Sequence, residues 1–348
     1  MIRKFTLAIS AILIPISYVN CNDFTATVIN DVSNVSSGGS NNTSALRTFA
    51  SVSAQFSLSE HYTFYADAAL LRGDNGGLDT GAFQAYSNID EDEFEDIYEV
   101  WFEGNFQAKG LRFKVGQIDA NTEFAFIDHG GEFIHSSMGF TPTIAFMPTY
   151  PTPTLAGAIN WQASENGNAA FGVFSDDSNE FDTLFYIGEW TQQFDMLTAK
   201  AGIWHQTGDI DTFKSGNIEE GTEGFYMIVE GALNNQWFSS QSSGWFAQAG
   251  YADDEVSELD FHFGAGITWY GPFNREEDIA GLGVNHISTS QYLHDELQKS
   301  ETAYEIFYRI QVNDYLAFKP DIQYIVSPAV DKSADNALVF TLRTEISF

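Results

Sequence analysis

The sequence predicts an all-β protein, a transmembrane antiparallel β-barrel of 16 strands with short periplasmic turns and long external loops. Three observations carry that prediction. In the last stretch, 336–348, Leu338, Phe340, Leu342, Ile346 and Phe348 fall on one face of an extended strand, and Thr341, Arg343, Glu345 and Ser347 on the other. Side chains alternate along a strand, so this one separates an apolar from a polar face with period two. Mean hydropathy is only −0.17 although 15 % of residues are aromatic and 18 % charged, as expected when alternate residues face lipid and water. Beyond the first 21 residues no run of ~18 apolar residues is available for a membrane-spanning helix.

Residues 1–21 read as a secretory signal: Arg3 and Lys4 are its basic start, and 5–19 its apolar run. Val19 and Cys21 fit the −3 and −1 positions, which places the barrel at 22–348. Acylation of Cys21 is the competing reading, with Asn20 a poor residue to precede it. Cleavage after Cys21 removes the single cysteine, and with it disulfides and thiol chemistry.

Alternating segments then follow in order. They are 23–31, 46–58, 62–71, 95–106, 111–119, 154–163, 169–174 and 182–191 in the first half. The second half gives 196–205, 223–233, 244–251, 260–270, 278–287, 301–312, 315–326 and 336–348. An even count puts both termini on one side. Counted back from a final strand ending in the periplasm, the short links 59–60, 107–110, 165–168, 192–195 and 313–314 all fall on the periplasmic side. The long gaps 72–94, 120–153, 207–222 and 288–300 all fall outside, and 234–243 is long for a periplasmic turn.

The alternation projects a lumen. It places Arg47, Glu99, Trp101, Glu103, Arg112, Lys114, Arg309, Lys319, Asp321, Arg343 and Glu345 inside, with Glu305, Gln311 and Gln323. It places Tyr98, Val100 and Phe102 outside. The gap 120–153, the third external loop, is expected to fold inward as a constriction and to add Glu123, Phe124 and Asp128 to the pore lining. Arginine forks and carboxylates hydrogen-bond hydroxyls, and aromatic rings cover the apolar faces of pyranoses. His129 and His135, with Asp128 and Glu132, match no standard metal spacing, so neither metal nor cofactor is expected.

Net charge is −33, which excludes nucleic acid as a partner. The acids gather in loops (90–96, 176–177, 209–223, 253–260 and 276–278) and read as solvated, self-repelling segments. No nucleophile elbow, phosphate loop or metal signature points to an enzyme.

Phe113 to Phe124, FKVGQIDANTEF, is similar to the VGQ-containing strand and following loop of the OprB-type carbohydrate-selective porins. WYGPFNREEDIAGLG, from Trp269 to Gly283, resembles their YGPF segment, and Glu301 to Phe348 follows their ending. The N-terminal GDWGG-containing segment of that family has no counterpart here. The resemblance implies a sixteen-stranded outer-membrane barrel passing small sugars or hydrophilic solutes by facilitated diffusion. The alternative is a general, cation-preferring diffusion porin without sugar selectivity. Outer-membrane lipid and, through the terminal Phe348, the barrel assembly machinery are expected partners, and a homotrimer, common among porins, stays open.

Overall fold

The computed structural model describes residues 20–176, 181–214, 216–233 and 237–348. Sixteen antiparallel strands close into one barrel, each hydrogen-bonded to its sequence neighbours and the first to the last. They are β1 Asn20–Gly39, β2 Ser44–Ser57, β3 Tyr62–Gly73, β4 Phe94–Phe106, β5 Leu111–Ile118, β6 Thr154–Gln162, β7 Gly167–Ser175 and β8 Leu184–Gln193. Then follow β9 Leu197–Asp211, β10 Ile218–Ala232, β11 Ser242–Ala252, β12 Leu259–Tyr270, β13 Ile279–Thr289, β14 Ser300–Asn313, β15 Leu316–Val326 and β16 Asp335–Ser347. Closure leaves no unpaired strand edge in lipid, which an open sheet could not achieve.

Each predicted segment corresponds to one strand, and the differences have physical causes. β1 runs on to Gly39 where the Ser/Asn-rich stretch after 31 reads as a loop. That stretch is strand because its polar residues face a polar interior or a neighbouring strand: Ser33 Oγ lies 3.0 Å from Thr341 Oγ1, and Asn34 Nδ2 donates to Ser44 Oγ at 3.0 Å. β9 and β10 likewise extend their hairpin into 207–222, which reads as loop by composition. In β4 the register slips where Asp67 and Ala68 pair with Glu99 and Ile97, leaving Tyr98 as a bulge residue. Tyr98, predicted to face lipid, instead turns its hydroxyl to the buried Asp119. The leader reading of 1–21 lies outside the described residues except for Asn20 and Cys21, whose backbone is in β1.

The outer face is a band of apolar side chains in register. Ile306 pairs with Ile322 and Ile322 with Phe340, all three exposed; Tyr304, Tyr324 and Leu338 form the next row. At the seam Phe348 N donates to Ala26 O at 2.9 Å, and its ring stacks on Tyr315 with centroids 5.7 Å apart. The terminal aromatic therefore helps close the ring of strands.

The band gives a stability test. Ile322→Arg, on the lipid face near mid-strand, is expected to cost about 2–4 kcal/mol, whereas the same change at inward-facing Ser53 costs far less. Denaturant titration of the vesicle-embedded barrel reads the difference.

Candidate functional site

Strand alternation and register bring the inward-facing side chains into three groups. The first is buried except at Asn88. Arg343 of β16 makes a bidentate pair with Asp31 of β1, at 2.8 and 2.9 Å, and donates to Asn88 Oδ1 at 2.8 Å. Arg47 of β2, only 1 % exposed, pairs with Asp90 and donates to the Tyr86 hydroxyl at 2.6 Å. Asp321 of β15 is buried beside Gln323, whose Nε2 reaches Asp321 Oδ1 at 3.0 Å and Tyr86 O at 2.7 Å. Arg47 and Arg343 directly, and Asp321 through Gln323, thus face inward but hold the β3–β4 link, 74–93, against the wall instead of meeting pore water.

The second group is Glu103 of β4, Arg112 and Lys114 of β5, and Glu123 of the β5–β6 link. Arg112 bonds Glu103 at 3.1 Å, and Arg112 and Lys114 both pair with Glu123. Although burial opposes ionisation, the two cations hold the Glu123 carboxyl below the usual carboxylate range. Lys114 Nζ sits 4.0 Å above the Trp101 ring, which stacks on Tyr65 at 4.7 Å with planes 15° apart. The third group is Arg309 of β14, Lys319 of β15 and Glu345 of β16. Arg309 bonds Glu345 at 2.6 Å, and Lys319 bridges Glu345 at 3.0 Å and Glu132 at 3.2 Å.

The β5–β6 link, 119–153, is packed against the inner wall. Irregular backbone at this depth needs partners for its N–H groups, and wall carboxylates supply them. Glu99 accepts from Asp119 N at 2.9 Å, Glu189 from Ala125 N at 2.9 Å and Glu230 from His129 N at 3.2 Å. Glu305 accepts from Ile134 N at 2.7 Å and His135 N at 3.1 Å. Lys200, Gln248 and Thr268 satisfy link carbonyls in return.

Glycines make the room. A Cβ on Gly283 would meet Met138 Sδ and Phe133 Cε1 at 2.8 Å, and one on Gly281 would meet Phe133 Cζ at 3.0 Å. A Cβ on Gly172 would come within 2.7 Å of Phe124, which is buried beside Phe174 and does not line water. Asp128 stays exposed. Between the two inward links lies a cavity of about 420 Å³ whose lining includes Asn88, Glu91, Asn121, Phe126, Phe140 and Tyr150.

Sequence alternation marks Glu305 and Gln323 as inward but misses Asp31, Tyr86, Asn88, Asp90, Glu189, Glu230 and the glycine seat. One signal was present: Gly264-x-Gly266 and Gly281-x-Gly283 repeat with the strand period on adjacent strands. Two loop acids also differ from the solvated reading. Asp90 is buried on Arg47, and Asp278 is sequestered by Arg275, the Tyr308 hydroxyl at 2.9 Å and Gln311 N at 3.0 Å.

Comparison with known proteins places this geometry. The model described as carbohydrate-selective porin, OprB family, matches residues 21–230 and 188–348. The high-pH structure of Pseudomonas putida OprB superposes with TM-score 0.84 at 18 % identity, covering 94 % of this chain and 94 % of that one. The low-pH structure of that protein gives 0.64 at 16 % identity, over 94 % and 92 %. The outer-membrane channel DcaP of Acinetobacter baumannii gives 0.62 at 11 % identity, over 95 % and 97 %. At these identities the structures establish the fold. Porin B of Pseudomonas aeruginosa is 27 % identical over 191 residues, which is 46 % of this chain and 41 % of that protein, so the match spans less than half of this curated relative.

Two tests follow from the seat. Gly283→Leu is expected to dislodge Phe133 and Met138 and to raise single-channel conductance, read in planar bilayers. The second concerns His135, whose Nδ1 accepts from Ser137 N at 3.3 Å. Burial, with His262 beside it, pushes the His135 imidazole from 6.5 down to about 3. The seated link therefore binds fewer protons than a released one, so its stability is full above pH 6.5 and is lost as pH falls toward 3. Conductance is expected to rise across that acid window, and the rise to flatten in His135→Asn.

Proposed function

The chain belongs to the OprB family of carbohydrate-selective porins, and from that premise we propose that its outer-membrane barrel passes carbohydrates and other small hydrophilic solutes by facilitated diffusion. The observation that carries this reading is the side-by-side placement of an aromatic platform and charged forks. The Tyr65–Trp101 stack, with Lys114 over the indole, puts part-exposed aromatic surface beside Glu103 and Arg112. A pyranose has both kinds of surface, apolar C–H faces and a rim of hydroxyls, and can use both at once. The contacts are few, and of the charged groups beside the stack only Glu103 and Arg112 are part-exposed, which suits a channel in which solute must enter and also leave.

In this reading the link 120–153 is the constriction, and the solute path runs between it and the wall that passes from β14 through the β16–β1 seam to β5. Glu103, Arg112, Arg309 and Glu345, each part-exposed, line that path with Glu123 and Lys319 at its edge. The charges are paired, so the path carries little net field and favours neutral solutes. Removal of 1–21 as a signal, insertion through Phe348 by the barrel assembly machinery, and trimeric assembly belong to the same proposal.

A second reading, a cation-preferring general porin, is favoured by one feature: the net charge of −33, with exposed Asp128 on the inward link. Reversal potentials in a salt gradient and sugar block in planar bilayers separate the two. The sugar reading expects glucose to block current transiently, and Trp101→Ala to weaken that block about three- to tenfold, the worth of a lost stacking contact. Conductance indifferent to every mono- and oligosaccharide, with permeation sorted by size alone, would sink it.

A further inference from the structure

Adjoining the path just described, with which it shares Arg112, a second cavity of about 560 Å³ lies among the short-turn ends of β4 to β8. Its lining is unusual for this chain. The protein has 48 acidic residues, yet the cavity holds one carboxylate, Glu165, and one cation, Arg112, already paired with Glu103 and Glu123. The remaining polar surface is amide and hydroxyl.

Register explains the arrangement. Asn105 pairs with Arg112 and Arg112 with Asn160, forming one inward rung across β4, β5 and β6. Gln162 pairs with Asn168 and Asn168 with Thr191, forming the rung below across β6, β7 and β8. Direct cross-strand neighbours stand about 5 Å apart, and successive inward residues about 7 Å apart along a strand. The side-chain amides of Asn105, Asn160, Gln162 and Asn168 make no hydrogen bond to protein among the described residues. Each amide offers both a donor and an acceptor, which is what a hydroxyl, itself donor and acceptor, requires. A phosphate or carboxylate would find acceptor groups wasted here, and a cation would find one carboxylate.

We propose that this amide-lined cavity is a separate exit site for neutral polyhydroxylated solutes, occupied as they leave the constriction toward the periplasm. It rests on the carbohydrate-porin reading and adds to it a second, uncharged site on the short-turn side. The path would then have two sites of different chemistry: an aromatic and ion-paired one at the link, and an amide one at the exit. Two weak sites in series hold solute against the gradient less tightly than one strong site, so transit stays fast.

The test uses the full-length barrel in planar bilayers with glucose as probe, added in turn to either side. The triple variant Asn160→Ala/Gln162→Ala/Asn168→Ala is compared with the parent, and only conducting channels are scored, so misfolded protein does not enter the result. The site predicts that block by glucose from the short-turn side weakens about tenfold, the sum of a few modest hydrogen bonds. Block from the external side should move less than about twofold, which is below the worth of one such bond. The single variant Asn168→Ala is read the same way, with a smaller loss on the short-turn side only. If both block constants of the triple variant match the parent, or both weaken equally, the exit site is overturned while the carbohydrate reading stands. If glucose blocks the parent from neither side, the carbohydrate reading falls and the exit site with it.

Discussion

The constraint on which the rest of the structure depends is the hydrogen-bond demand of irregular backbone inside a membrane-spanning barrel. Strands satisfy one another around a closed ring, but the links 74–93 and 119–153 leave the ring and lie within it. Their N–H groups have no ladder to join. Leaving such groups buried without partners is costly, so the wall must provide acceptors at the depth where the links rest. Glu189, Glu230 and Glu305 do so for 119–153, and Glu301 does so for the other link, accepting from Phe83 N at 2.7 Å and Gln84 N at 3.1 Å. Part of the chain's acidity is thus internal scaffolding.

Sterics complete what hydrogen bonding begins. Carboxylates on one stretch of wall fix the link's backbone, and glycines on β7, β12 and β13 let its aromatic side chains approach the wall backbone. Phe133 is surrounded on this seat, meeting Phe246 and Phe307 edge-on at 5.7 and 4.9 Å. The arginines follow the same logic at the seam. Arg343 and Arg47 bind acids of β1 and of the 74–93 link, tying barrel closure and link position into one network. What remains open is the side of the lumen the links do not fill, and there Glu103, Arg112, Arg309 and Glu345 are part-exposed beside the Trp101–Tyr65 stack.

The strands are legible in the sequence because period-two alternation survives along most of each one, even where a bulge interrupts it or the boundaries differ. β1 was cut short because Ser33, Asn34, Ser36 and Ser37 have loop composition; only pairing with β2 and β16 makes them strand. Tyr98 departs from its alternation because a bulge shifts parity and leaves no compositional mark. The inward direction of Arg47 and Arg343 was readable, but their partners were not. Asp31 lies 312 residues from Arg343, and which acid meets which arginine is decided by closure and by loop placement. The glycine seat shows the same limit. Its alternation is visible, yet glycine alone signals room without saying what fills it.

The central claim is that wall carboxylates hold 119–153 inward and so set the width of the pore. The direct measurement is liposome swelling with sugars of increasing size, comparing the parent barrel with Glu230→Ala/Glu305→Ala. Removing both acceptors strands the amides of His129, Ile134 and His135. If the carboxylates hold the link, the double variant still inserts and admits oligosaccharides that the parent excludes. An unchanged size limit in a folded, conducting double variant would contradict it.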